Sequence, residues 1–178
     1  MLTSLLAFVT VPFPQSLSST LPGRWLALLA CILFGASVPA QAAGWSSATS
    51  MATARFYQSS TLLPSGKVLV AGGFNGAISN SVELYDPATG IWIAAAPLAT
   101  ARYLHTATLL PSGKVLVVGG FGGTRLASAE LYDPVADTWS PAGNLTTGRQ
   151  CHTATLLPSG QVLVVGGLGA SALASVEL

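Results

Sequence analysis

After residue 44 the chain is a succession of short apolar runs separated by clusters of glycine, proline, serine and aspartate. That pattern predicts strands and turns and no substantial helix. The stretch from Thr106 to Ser140 shows one unit in full. Thr106–Leu110 predicts a first strand, followed by a turn at Pro111-Ser112-Gly113, because proline presets one φ and glycine accepts a positive one. Lys114–Val118 predicts a second strand whose near-continuous apolar run suits cover on both faces. Gly119-Gly120 closes it, and a glycine-rich loop follows over Phe121–Leu126. Ser128–Tyr132 alternates as a third strand and ends at Asp133-Pro134, and Thr138-Trp139-Ser140 makes a short fourth.

The unit repeats with a fixed step of 47 residues. Trp45, Trp92 and Trp139 keep it, as do Arg55, Arg102 and Arg149, and Glu83, Glu130 and Glu177. Leu62, Leu109 and Leu156 each open Leu-Leu-Pro-Ser-Gly, and Gly72-Gly73, Gly119-Gly120 and Gly166-Gly167 stay in register. His105–Gly120 and His152–Gly167 differ only at Lys114 against Gln161. A four-stranded unit cannot bury both faces alone, but units stacked around an axis can. The expected fold is therefore all-β, a partial propeller of about three four-stranded antiparallel blades. The register places a lone fourth strand at 44–47, blades at 55–98 and 102–145, and a shortened blade at 149–178.

The opening residues change the picture differently. Arg24, the apolar run Trp25–Val38 and the small-residue site Ala40-Gln41-Ala42 have the three parts of a secretory signal. The expectation is a leader over 1–42 and a mature chain over 43–178, exported to the periplasm, the cell surface or the medium. A retained anchor and a lipoprotein-type cleavage box at Leu28–Cys31 are the competing readings. The apolar run falls short of the roughly 20 residues that a membrane span needs, and no span is expected in the mature chain. Charged residues make up only 7% of the chain and the net charge is +1, against about 25% charged residues in an ordinary soluble domain. No basic patch points to nucleic acid. With Cys31 in the leader, Cys151 has no intramolecular partner and reads as a half-buried thiol near the axis. Asn144-Leu145-Thr146 fits a glycosylation acceptor in a eukaryotic secretory pathway.

The combination Gly119-Gly120, Tyr132-Asp133-Pro134, Trp139 and Arg149 resembles the kelch motif. The resemblance covers Gly44–Leu178, and the wording Leu-Leu-Pro-Ser-Gly-Lys-Val-Leu-Val is similar to bacterial extracellular kelch proteins and to the propeller of the galactose oxidases. It implies a propeller whose first strands line a central axis. Kelch propellers usually close with five to seven blades, so the three units here imply a piece of a longer propeller. Open blade edges are templates for pairing with other chains, which makes self-association an expected partner mode.

Most charges belong to the scaffold. Residues that recur in every unit (the three arginines and glutamates, Lys67, Lys114, Asp86 and Asp133) read as structural, with the arginines satisfying backbone carbonyls or a glutamate between blades. The tryptophans read as packing between blades. Only Arg125 and Asp137 depart from the repeat in the mature chain. Arg125 sits in a glycine-rich loop, where a solvated side chain is the plain reading and ligand contact the functional one.

One window varies informatively. After each motif arginine come Phe56-Tyr57-Gln58, Tyr103-Leu104-His105 and Gln150-Cys151-His152, and near identity resumes straight afterwards. With Arg125, these nine residues are the candidate binding residues. They imply a non-catalytic module that presents an axial window and loops to a protein or glycan, without a cofactor. Under the galactose oxidase resemblance, Arg55–Ser60 matches an Arg-x-Tyr-Gln-Ser-Ser segment whose tyrosine ligates copper, which makes Tyr57 the aligned residue. That is the competing expectation: part of a secreted copper oxidase.

Overall fold

A computed structural model describes residues 44–178. Those residues hold eleven strands and no helix. Blade 1 contains β1 (Ser59–Leu62), β2 (Val68–Ala71), β3 (Val82–Asp86) and β4 (Ile91–Ala95). Blade 2 contains β5 (Thr106–Leu109), β6 (Val115–Val118), β7 (Ser128–Asp133) and β8 (Thr138–Asn144). Blade 3 contains β9 (Thr153–Leu156), β10 (Val162–Val165) and β11 (Val176–Glu177). Each blade is an antiparallel meander in chain order. The first strands β1, β5 and β9 neighbour one another and form the inner edge of the arc. The partial propeller of three blades is therefore as expected. The fourth strand β8 runs seven residues, longer than the three the sequence suggested, because a register shift between Ser128 and Glu130 lets it follow β7 to Asn144.

Residues 44–47, expected as a fourth strand, form none, and Trp45 is exposed. A fourth strand pairs with the third strand of its own blade, and no described residue offers 44–47 such a partner. The leader and its cleavage site lie outside the described residues. Among the described residues no helix is long and apolar enough to cross a membrane.

The core lies between blades. Leu63, Leu69, Ala71, Val82 and Leu98 pack against Val115, Val117 and Tyr132 of blade 2, and Val118 and Ala129 pack against Val164 of blade 3. The same position reports the stacking: Ala71 and Val118 are 1% and 2% exposed under the following blade, while Val165 is 38% exposed.

The repeated arginine acts within its own blade, not between blades as expected. Arg102 Nη1 donates to the carbonyls of Gly119 and Ser128 at 2.9 Å, and Nη2 donates to Glu130 Oε1 at 2.7 Å. It thereby ties the end of β6 to both ends of the loop and to β7. Glu130 in turn accepts the amides of Ala99 and Thr100 in the incoming linker. The same clamp recurs at Arg55–Glu83 and Arg149–Glu177. Of the tryptophans, Trp139 bridges blades as expected: its Nε1 donates to Ala96 O of blade 1 at 2.8 Å, and its ring lies 4.9 Å from that of Tyr132, whereas Trp92 Nε1 donates to Thr49 O ahead of blade 1.

A candidate axial binding face

The variable triplets have one backbone conformation in all three blades. Their middle residues, Tyr57, Leu104 and Cys151, sit in the left-handed region at φ of 58°, 56° and 55°. Non-glycine residues adopt it at a cost of about 1–2 kcal/mol. Hydrogen bonds hold them there. Leu104 N donates to Tyr57 O, and Cys151 N donates to Leu104 O, both at 3.1 Å, so these residues form a backbone chain from blade to blade. The preceding residue of each triplet pairs with the start of the glycine-rich loop: Phe56 with Phe74, Tyr103 with Phe121 and Gln150 with Leu168. Triplets and loops thus share one end of the blades.

On that constant backbone the side chains differ. Phe56 and Tyr57 are 50% and 55% exposed, and Gln58 is exposed too. Tyr57 and Tyr103 lie nearly parallel, 22° apart with centroids 6.0 Å apart, and Phe56, Phe74 and Phe121 continue the run at 4.8–5.5 Å. Phe74 and Phe121 were not singled out in the sequence. Their signal was the loop-opening position that blade 3 fills with Leu168. Leu104 and Gln150 are half-buried.

His105 and His152 are not on this surface. They are buried, at 9% and 6% exposure. His105 Nε2 is 2.8 Å from Ser59 Oγ of blade 1, and His152 Nε2 is 2.9 Å from Thr106 Oγ1 of blade 2. Each ring also packs on the diglycine of the preceding blade. A Cβ on Gly119 would lie 2.8 Å from His152 Cε1 and 2.7 Å from Arg149 O, so only glycine fits. Burial, then the neighbouring charges of Arg102 and His152, lower the pKa of His105 to about 3, and burial beside Arg149 lowers that of His152 to about 4. Both rings are neutral inter-blade ties at neutral pH.

Cys151 is exposed rather than half-buried, although Leu104 shares its left-handed backbone and is half-buried. Asp137 is structural. It occupies a left-handed turn position (φ 50°), accepts the Tyr132 hydroxyl at 2.8 Å, and accepts the Ala96 amide of blade 1 at 3.0 Å. Burial and the Asp137 carboxylate hold the Tyr132 hydroxyl well above its usual range. Arg125 is exposed, pairs through its backbone with Phe121, and has no ion-pair partner among the described residues.

The residues present do not fit a copper shell. Tyr57 is at the surface, both histidine Nε2 atoms face hydroxyls, and their Nδ1 atoms are buried without partners. Among the described residues no group of three or more His, Cys, Asp or Glu side chains converges. A cavity of about 530 Å³ opens at the opposite end of blades 1 and 2, lined by turn residues such as Leu63, Pro64, Lys67 and Lys114. Leu63 and Pro64 recur in every unit and the lysines in the first two, so most of the blade-specific chemistry lies at the triplet end.

Comparison with curated proteins gives no match. Among solved structures the chain is similar to a "novel fungal alcohol oxidase with catalytic diversity among the AA5 family, in complex with copper". The identity is 23%, the TM-score 0.57, and the match covers 66% of this chain and 28% of that one. At that identity the likeness establishes the fold alone, and this chain spans little more than a quarter of that protein. A family model for the kelch motif matches residues 55–99 and 102–146, which are the first two blades. With the diglycines, the arginine–glutamate clamp and the bridging tryptophan each at its motif position, the chain belongs to the kelch-repeat family.

Proposed function

We propose that the chain is a non-catalytic kelch-repeat binding module of an exported protein, and that the triplet end of the blades is its working surface. One observation carries the reading. Three blades hold the same strained backbone at Tyr57, Leu104 and Cys151 and hang different side chains on it. A position whose geometry is fixed while its chemistry varies suits recognition, since binding residues are carried where a rigid scaffold places them. Apart from the exposed Arg125, the charged groups near this end are committed to the arginine–glutamate clamps, and the histidines are neutral ties. The surface is therefore read as binding through rings, amides and hydroxyls, with one free guanidinium. The leader pattern at 24–42 supports export.

A second reading is favoured by the Arg55–Ser60 match and by the fold of the copper-bound alcohol oxidase. It makes the chain part of a galactose oxidase-like enzyme, with Tyr57 as one copper ligand. The two readings separate on metal content and turnover. The full chain is loaded with copper and assayed for peroxide from alcohols and sugars. The binding reading expects no turnover and an unchanged result for Tyr57→Phe. Peroxide formation that Tyr57→Phe abolishes overturns it.

A further inference from the structure

The five aromatic rings are confined to blades 1 and 2. Blade 3 puts Gln150, Cys151 and Leu168 at the matching positions and keeps the same backbone pairing and the same left-handed turn. The rings are therefore not what the fold requires. Half of the surface of Phe56 and of Tyr57 faces solvent, and exposed contiguous rings mark interaction sites. The backbone around them is closed to a peptide strand. Phe56 and Phe74 exchange both of their hydrogen bonds, Tyr103 and Phe121 do the same, and Leu104 N is bonded to Tyr57 O. Strand addition, the usual way to seat an extended peptide, needs free backbone groups. What remains available is ring face and phenolic hydroxyl. A sugar suits that pair, because one side of a pyranose is a C–H face and its rim is hydroxyl.

Charge then selects among sugars. Arg125 is the one formally charged side chain in the three triplets and the loops Phe74–Ser81, Phe121–Ser128 and Leu168–Ser175. The matching positions in the other blades are Ile78 and Ala172. It is exposed, lacks an ion-pair partner among the described residues, and is bridged to Phe121 at the end of the ring run. A free guanidinium there favours a carboxylate, which it holds bidentately.

We propose that Phe56, Tyr57, Phe74, Tyr103 and Phe121 form a stacking platform for an acidic oligosaccharide, whose uronate carboxylate is taken by Arg125. The proposal rests on the binding reading above and names its ligand class. The test titrates the full chain with a galacturonate hexamer and, as the neutral counterpart, with cellohexaose. The acidic hexamer is expected to bind at least about tenfold tighter, and the difference shrinks as salt rises and screens the exposed charge. Arg125→Ala brings the two sugars level. Tyr103→Gln and Phe121→Leu install the residues blade 3 already uses, so they keep the melting temperature and lose about tenfold in affinity. The proposal is overturned if the acidic hexamer does not saturate, if both sugars bind alike, or if Arg125→Ala changes nothing. If the hexamer fails while altered triplets still change binding to another ligand, the ligand class is wrong and the binding reading stands. If altered triplets change no binding at all, that reading falls as well.

Discussion

Single residues carry the blade stacking, and two experiments reach them. Gly119 sits at φ +61° with Arg149 O and His152 Cε1 where a side chain would start, whereas Gly166 sits at φ +62° with only Leu173 O at 3.3 Å. Alanine at Gly166 meets mainly the left-handed penalty of about 1–2 kcal/mol, while alanine at Gly119 adds an overpacking cost of about 1–3 kcal/mol. Urea unfolding of the two variants should therefore rank Gly119→Ala as the more destabilising. Equal losses would mean that the His152 contact does not constrain the diglycine. The histidines predict a pH dependence. Their folded pKa values, about 3 and about 4, lie below the ordinary 6.5, so between those limits the unfolded chain binds protons that the folded chain does not. Stability from this source is fully present above pH 6.5 and is lost as pH falls through the window, with a slope approaching about 1.4 kcal/mol per pH unit for each histidine. Melting temperatures from pH 7 to pH 4.5 should fall in the wild type and fall less in His105→Gln. The sequence marked both histidines as candidates but did not show them buried, because their partners, Ser59 and Thr106, lie 46 residues away on the neighbouring blade.

Elements were the most legible level. Turn chemistry at Pro-Ser-Gly, the apolar second strand and the diglycine located every strand of the two full blades to within a few residues. Two things were not written locally. One is the length of β8, which depends on an irregular pairing with β7. The other is the destination of the arginine. The 47-residue step says that it recurs, but not that it closes on carbonyls 17 and 26 residues further along its own blade. Its side chain is fully buried. Burial pulls the Arg102 guanidinium below its ordinary range, and Glu130 opposes that shift. Removing the negative partner leaves a buried cation uncompensated, at a cost of about 3–5 kcal/mol. Glu130→Gln is therefore expected to lose about that much in urea unfolding. A loss under about 1 kcal/mol, the scale of an exposed pair, would show that the clamp is solvated.

At the largest scale the three described blades form an arc whose near-identical scaffold carries unlike side chains at one end. Stacked repeats draw stability from their neighbours, and the faces without a described neighbour expose apolar groups, among them Leu62 on blade 1 and Val165, Val176 and Leu178 on blade 3. Exposed apolar faces of this kind mark association surfaces, so light scattering on a dilution series should show mass rising with concentration. A constant monomer mass would remove self-association from the account. The fold was legible at this scale because the period is strict. The working face was legible only as variation, and the aromatic run emerged once Phe74 and Phe121 were seen folded against the triplets. The measurement that tests the central claim most directly equalises that variation. All three blades are given Gln-Leu at the first two triplet positions, and binding to glycan and peptide arrays is compared with the wild type. The account predicts an unchanged melt and the loss or replacement of the wild-type binding profile. An unchanged profile on an unchanged fold would contradict it.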